Sequence, residues 1–475
     1  MLDTYRDTSF CTDQELKKGI AADQSPGAFL VPAIDRLIFL TGSEMMALAK
    51  VCIGLLGFGT VGTGVVRLLT VERERLESRT GCTIQLKKVL VRNKNRPRKV
   101  LIDNRKLTTN SSDILDDPEI DVIIELVGGI DQAYRYILRA LKNKKNVITA
   151  NKDLMASYGD ELLLEARKNK CDLCYEASVA GGIPILRTLT DSLAADRIQK
   201  MIGIVNGTTN YILSKMSHDG LSYEKALASA QALGFAEADP TSDVDGLDAA
   251  RKMVILSHLA YSIPVKLDDV RITGITDVTK EDIAYAQKLG YTIKLVGISE
   301  VNNGTIDVRV EPTLLPNAHP LASVENENNA IYVYGSTLGE TMYYGPGAGE
   351  GPTAVSVVSD LLLVIHDMKL GITGTHIFLP KREMHARKDN LVESQFFVRL
   401  HIMDQPGSFS RLTDLFKNQG ISLEKLYQEP MVGQNAAEVS IVTHLTNKIQ
   451  FEKSFDIMKK LDVVLNAKYF RVERG

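Results

Sequence analysis

The sequence lacks the surplus of basic charge that draws a protein onto a phosphate backbone: Lys+Arg 56 stands against Asp+Glu 59, a net charge of -3. That balance argues against nucleic acid as a partner. Cysteine is also scarce, with Cys11, Cys52, Cys82, Cys171 and Cys174 scattered over 475 residues. An odd count spread so thinly does not make the disulfide framework of a secreted protein, and a reducing cytoplasm fits better. A long apolar run is missing near the start: residues 28–40 are interrupted by Asp35 and Arg36 and fall short of the about 20 residues that a membrane span needs. The opening Met1-Leu2-Asp3-Thr4 has no basic flank of the kind that begins a signal peptide. The expectation is a cytoplasmic protein with no membrane partner.

What is present reads as globular, with 44% hydrophobic and 24% charged residues, and the length corresponds to about three domains. Residues 1–48 show no strong period and read as an appended extension, not native to the protein or poorly ordered, with translation starting naturally near Met45 or Met46. The competing reading is a helix packed on the body. From Lys50 onward strands and helices alternate: a strand Val51-Cys-Ile-Gly-Leu-Leu56, a helix over 65–76, and strands over 86–91, 121–126, 146–149 and 172–176, with helices over 134–141 and 162–168. That alternation predicts a doubly wound, Rossmann-type parallel sheet over residues 49–178. Residues 179–349 mix a helix over 249–261 with strands over 294–301, 305–314 and 330–334, an α+β domain. Gly345-Pro-Gly-Ala-Gly349 then opens a buried helix, expected over 350–368 and returning to the first domain. A charged linker at 380–394 precedes a last unit, 395–475, whose pattern is βαββαβ, ferredoxin-like.

Gly57-Phe58-Gly59-Thr60-Val61-Gly62 follows a predicted strand and opens a predicted helix, the context that a dinucleotide fingerprint requires. Its glycines make the turn, admit the pyrophosphate and let strand and helix pack, while the helix N-terminus faces the phosphates. The second strand ends in Arg92 with Lys94, Arg96 and Arg98 nearby, which favours the 2′-phosphate of NADP over the acid-held ribose of NAD. Between Gly234 and Lys252 five acids, among them Glu237, Asp239, Asp243 and Asp248, precede a helix on which Asp248 and Lys252 stand four apart. Such a set suits a substrate carrying an ammonium group and orders the lysine; a capped helix with a surface ion pair is the rival reading. Lys152 ends a strand at the edge where such sheets bind ligands, placed to polarise a carbonyl or pass a proton, or else simply exposed. Asn206-Gly207-Thr208-Thr-Asn210 is a polar turn able to hold substrate hydroxyl or carboxylate groups.

Joined together, these motifs resemble homoserine dehydrogenase with a C-terminal ACT domain, over residues 50–475. Ala230-x-x-x-Gly234-Phe235-Ala236, Asp239-Pro240 and Asp243-Val244-x-Gly246-x-Asp248-x-x-x-Lys252 match the family signature without a break. The resemblance implies NAD(P)-dependent interconversion of L-aspartate 4-semialdehyde and L-homoserine, on the way to threonine, isoleucine and methionine. It implies that Glu237, Asp243 and Asp248, with Gly207 and Thr208, bind substrate, that Lys252 and Lys152 are catalytic, and that Gly349 and Lys152 also face the cofactor. Lys252 is the first choice of proton donor. The resemblance further implies a structural Na⁺ or K⁺ held by the Glu176 carboxylate and the carbonyls of Val179, Gly181 and Ile183. The loop Asp404-Gln405-Pro406-Gly407 becomes an effector edge with L-threonine as candidate ligand, unless the last unit mainly dimerises. A homodimer or homotetramer is the matching expectation. A phosphorylating semialdehyde dehydrogenase would need a nucleophilic cysteine that no motif here offers, and a silent amino-acid sensor would have lost the lysines and acids.

Overall fold

Short apolar runs buried on both faces are what a sheet covered by helices on either side requires, and the first half of the chain supplies six of them. The computed structural model describes residues 49–379, 385–431 and 433–474, so the expectation for residues 1–48 lies outside the described residues. The strands are β1 (Ala49–Leu56), β2 (Cys82–Leu90), β3 (Leu107–Thr108), β4 (Val122–Glu125), β5 (Asn146–Thr149) and β6 (Leu173–Cys174). All pair in parallel in the order β3-β2-β1-β4-β5-β6, the doubly wound order whose reversal between β1 and β4 opens a ligand crevice. The helices between them are α1 (Thr60–Val71), α2 (Arg73–Thr80), α3 (Ser112–Leu115), α4 (Asp131–Lys142) and α5 (Lys152–Asn169). The single helix expected over 65–76 is two: α1 buries Val65 and Val66, whereas α2 is mostly charged, and the chain breaks at Glu72. Helix α5 begins ten residues before the expected 162, because the Asn151 side chain accepts from the Leu154 amide at 3.1 Å and caps it.

The second half is built on a mixed twelve-stranded sheet. Its strands β7 (Ile198–Ile204), β8 (Arg271–Ile272), β9 (Tyr291–Asn302), β10 (Thr305–Pro316), β11 (Asn328–Gly335) and β12 (Gly339–Pro346) are accompanied by α6 (Gly207–Asp219), α7 (Tyr223–Ala232), α8 (Thr241–Val244), α9 (Leu247–Tyr261) and α10 (Lys280–Lys288). β9 and β10 are joined by Asn303-Gly304, both at positive φ, the two-residue turn that matches strand twist. Helix α9 lies against β9, where a Cβ on Gly297 would strike Met253. β12 was not foreseen, since its residues are half-exposed and show no apolar alternation.

Helix α11 (Glu350–Leu370) packs back onto the first sheet, sharing a core of Val357, Leu361, Val364 and Ile365 with Ile53, Leu55, Val65 and Ile124. Gly64 makes that approach possible, because a Cβ there would lie 2.5 Å from the Glu350 carbonyl and 2.9 Å from Ala354. The last part contains β13 (His385–Ala386), β14 (Glu393–Met403), α12 (Ser408–Asn418), β15 (Leu423–Pro430), β16 (Ala436–Thr443), β17 (Thr446–Asn447), α13 (Lys448–Met458) and β18 (Val464–Val472). Strand order β18-β14-β16-β15 with both helices on one face makes the expected βαββαβ unit. It is not detached: β18 pairs with β10, Thr313 opposite Arg471, and extends the second sheet. The charged 380–394 segment is likewise held in its described part, β13 pairing with β10 and Asp389 accepting from Lys448 at 2.7 Å. Among the described residues no helix is long and apolar enough to cross a membrane.

Candidate active site

Where β1 ends, Gly57 adopts φ +100, and a Cβ on it would sit 2.5 Å from the Leu126 carbonyl. A Cβ on Gly62 would strike the Gly57 carbonyl, so the outer two glycines are demanded by the protein itself. Gly59 differs: a Cβ there would meet nothing within 4 Å. It faces open space at the N-terminus of α1, with no side-chain cap on that helix. Unused amides at a helix N-terminus beside an open glycine fit a pyrophosphate. Thr60 is exposed there and Phe58 and Val61 are half-buried. Arg92 is exposed beyond β2. The better-held cation is Arg98, whose guanidinium lies 5.5 Å from the Phe58 ring and donates to the carbonyls of Asn93, Lys94 and Arg96 at 2.6–2.9 Å.

Two acids of the acidic stretch and the two lysines converge at the start of α5, beyond the end of β5. Asp248, in the first turn of α9, accepts from Lys252 Nζ at 2.7 Å through Oδ2 and pairs with Lys152 Nζ at 3.2 Å through Oδ1. Lys252 also donates to the Val205 carbonyl at 2.6 Å. Asn206 joins the set from the start of α6, its amide donating to Asp243 at 2.7 Å and Asp248 at 2.8 Å while its carbonyl oxygen caps that helix at Thr209. Asp248 and Lys252 are buried, at 6% and 9% exposure, so the pair acts in a dry setting. Burial works against the Asp248 charge, but Lys252 and Lys152 outweigh it and hold the carboxyl well below the usual range. Burial likewise opposes the Lys152 charge, and Asp248, with Asp153 and Asp243, reverses that and raises its pKa. Asp243 is pushed up, by burial first and by Asp248 in addition.

The neighbouring turn is tight: a Cβ on Gly207 would lie 2.6 Å from the Glu327 carbonyl, and the Thr208 hydroxyl donates to the Phe235 carbonyl at 2.6 Å. Glu237 is not gathered in; it is exposed, and its carbonyl accepts from Gln231 at 3.2 Å. The reading of the sequence missed Glu125, a fully buried acid at the end of β4 that accepts from Thr149 Oγ1 and the Val127 amide, each at 2.7 Å. Burial raises its pKa. An acid closing an apolar strand beside the glycine turn was the available signal.

The loop expected to hold a cation carries its own hydrogen bonds. The Glu176 carboxylate accepts from the Leu186 and Arg187 amides at 2.8 and 2.9 Å and lies 3.4 Å from Arg187 Nε. The carboxylate thus already accepts two amide hydrogen bonds. The Gly181 carbonyl accepts from Ser356 at 2.6 Å. Among the described residues no group of three or more His, Cys, Asp and Glu side chains is placed to hold a metal. Gly349, at φ +118, begins α11, and the preceding loop rests on residues 181–182, with the Gly182 amide donating to Pro346 at 3.1 Å. Asp404, Gln405, Pro406 and Gly407 form an exposed turn between β14 and α12, with Gly407 at φ +87.

A doubly wound sheet with an open glycine turn, facing a buried carboxylate that bridges two lysines, defines an NAD(P)-dependent oxidoreductase. The family profile described as homoserine dehydrogenase matches residues 184–362, and the one described as homoserine dehydrogenase, NAD binding domain, matches residues 57–176. Homoserine dehydrogenase of Bacillus subtilis (strain 168) is 52% identical over 423 residues, 89% of this chain and 98% of the relative. The Synechocystis enzyme is 41% identical over 421 residues, 87% of this chain and 96% of the relative. The crystal structure of a homoserine dehydrogenase from Thiobacillus denitrificans matches with a TM-score of 0.82 at 36% identity, covering 90% of this chain and 98% of that one. A hyperthermophilic archaeal homoserine dehydrogenase in complex with NADPH matches with a TM-score of 0.56 at 26% identity, covering 68% of this chain and 98% of that one. The chain belongs to the homoserine dehydrogenase family.

Proposed function

We propose that the enzyme interconverts L-aspartate 4-semialdehyde and L-homoserine, with Lys252 as the proton donor in the reducing direction. The observation that carries this is the Asp248 carboxylate bridging Lys252 and Lys152 at the open edge of the nucleotide-binding sheet. When bound, the nicotinamide supplies a hydride to the aldehyde carbon. The carbonyl oxygen then becomes an alkoxide, and Lys252 delivers the proton that makes the alcohol, while Asp248 keeps both lysines aimed. Asp243 and Asn206 offer polar groups to the substrate's amino end; Glu237 reaches it only if its loop moves inward. Lys152, at the start of α5 beside the nucleotide-binding sheet, holds the carbonyl oxygen or shares the proton.

NADP is the favoured cofactor, supported by Arg98 against Phe58 and by Arg92, a basic pair suited to a 2′-phosphate; the archaeal relative is in complex with NADPH. A structural monovalent cation at Glu176 and the backbone carbonyls of Val179, Gly181 and Ile183 belongs to the same reading. The last unit is an ACT domain in this reading, taking L-threonine at the exposed 404–407 turn. Its strand β18 adjoins β10, and β10 adjoins β9 beneath α9, a continuous path to Asp248 and Lys252. The enzyme is cytoplasmic and a homodimer or homotetramer. The test follows NADPH absorbance with L-aspartate 4-semialdehyde, with NADH in parallel and L-threonine added to each. Turnover that is faster with NADPH and slowed by threonine is the expected result; bound nucleotide without turnover sinks the assignment.

A further inference from the structure

Glu125 takes no part in the proton transfer described above, yet it is a fully buried acid where the order of the nucleotide-binding sheet reverses. It ends β4, opposite Leu56 of β1 on one side and Thr149 of β5 on the other. Burial disfavours its charge and raises its pKa, and the groups that oppose this are neutral, the Thr149 hydroxyl and backbone amides. A carboxyl held this way costs stability that a buried apolar side chain would not. Joining the strands does not require it, since β4 and β5 already pair along Val122–Glu125 and Asn146–Thr149.

What the carboxyl does hold is the start of α5. Its Oε2 accepts from Thr149 Oγ1 at 2.7 Å. A hydroxyl has one proton; with that proton committed to Glu125, Thr149 Oγ1 is left to accept from the Asn151 amide, at 3.0 Å. Asn151 in turn caps α5, its Oδ1 accepting from the Leu154 amide at 3.1 Å, while its Nδ2 donates to the Gly129 carbonyl at 2.6 Å. Glu125 braces that side as well, because its Oε1 accepts from the Val127 amide at 2.7 Å, in the turn that leads to Gly129. The bonds close a ring through Glu125, Thr149, Asn151 and the 127–129 turn, and Lys152 is the next residue along the chain. The Lys152 side chain is partly exposed and reaches Asp248 Oδ1 at 3.2 Å, so its aim depends on where the backbone of this first turn is set. We propose that Glu125 is a positioning residue for Lys152, acting through Thr149 and Asn151. The proposal rests on the role given to Lys152 above.

Glu125→Gln and Thr149→Val test it, since both preserve shape and each breaks the ring: the glutamine amide sets an N–H against one of the two donors, and valine has no hydroxyl. The first readout is NMR titration of the full chain with its lysines methylated by a ¹³C label, the Lys152 signal being the one lost in Lys152→Arg. Lys152 should lose its proton at lower pH in each variant than in the parent, because Asp248 is what raises its pKa against burial and a misplaced lysine feels less of that charge. In the second readout, kcat for reduction should fall by about tenfold or more in each variant with KM for NADPH nearly unchanged, and the double variant should be little worse than the single ones. Should Glu125→Gln not fold, Thr149→Val decides the matter on the same ring. An unmoved Lys152 titration overturns the proposal whatever happens to kcat, and so do losses that multiply in the double variant. A moved titration with unchanged kcat upholds the positioning and removes Lys152 from the chemistry instead, so the two readings fail separately.

Discussion

Lys252→Ala is the substitution that most sharply separates the proton donor from its surroundings. A positioned general acid contributes about 10²–10⁴-fold, which at 1.36 kcal/mol per tenfold is about 3–5 kcal/mol of barrier. The structural cost is separate. Truncation leaves the Val205 carbonyl and Asp248 Oδ2 each short of one donor, about 1–3 kcal/mol for buried groups. Asp248 retains Lys152 at 3.2 Å and Asn206 at 2.8 Å, so no buried charge is orphaned. The glycine turn is formed by β1 and α1, and the lysine touches neither. The expected result is therefore a folded variant whose kcat is lower by about 10² or more and whose NADPH affinity is nearly intact. Steady-state turnover, NADPH fluorescence titration and a circular-dichroism melt measure the three quantities. A folded variant with kcat within tenfold of the parent, or a mild kcat loss with NADPH binding gone, refutes the assignment.

The glycines give a paired prediction: Gly59→Ala, open on all sides, should leave the melting temperature unchanged while raising the Kd for NADPH, whereas Gly62→Ala, which strikes the Gly57 carbonyl, should destabilise the fold. Equal destabilisation by both would show that Gly59 faces protein. Arg98→Ala should shift the ratio of NADPH to NADH turnover towards NADH by more than Arg92→Ala does, because Arg98 is the cation held against Phe58; the reverse ranking returns the 2′-phosphate to Arg92. Burial raises the Asp172 carboxyl from its ordinary value to about 6. The folded state then binds the proton more tightly than the unfolded one, so this stability is full below about pH 4 and is lost as pH rises through about 6. Melting temperature should fall more steeply from pH 5 to 7 in the parent than in Asp172→Asn, and parallel profiles would contradict it.

The parts of this protein legible in its sequence are those fixed by local geometry. The glycine turn is readable because its three glycines fall within six residues between a strand and a helix, and Asp248 and Lys252 because a helix brings positions four apart together. Lys152 was placed at a strand end, but its role as the first residue of α5 was not, since the start of that helix depends on a cap from Asn151 rather than on apolar period. Asn206 as the link between Asp243 and Asp248 has no local signal, because it stands 37 and 42 positions before them in the chain. The same holds for the Glu176 carboxylate. The resemblance assigns it to a cation, while its hydrogen bonds to amides ten and eleven residues on have no signal in the local pattern.

The electrostatics of the cluster also set how each direction of the reaction responds to pH. The acids around Lys152 raise its pKa, and the lysines hold the Asp248 carboxyl ionised. Such a setting favours the charged ammonium of Lys152, the state that donates a proton to a nascent alkoxide. Oxidation of the alcohol needs the opposite, a neutral amine to accept the proton, and the same carboxylate that organises the site opposes that state. Reduction should therefore run well at neutral pH, while kcat for oxidation should keep climbing into the alkaline range. Measuring both profiles on one preparation tests this, and Asp248→Asn should lower the pH at which oxidation rises, because the charge that stabilises the ammonium form is gone. Coincident profiles for the two directions in the parent enzyme would remove the lysines from the proton transfer.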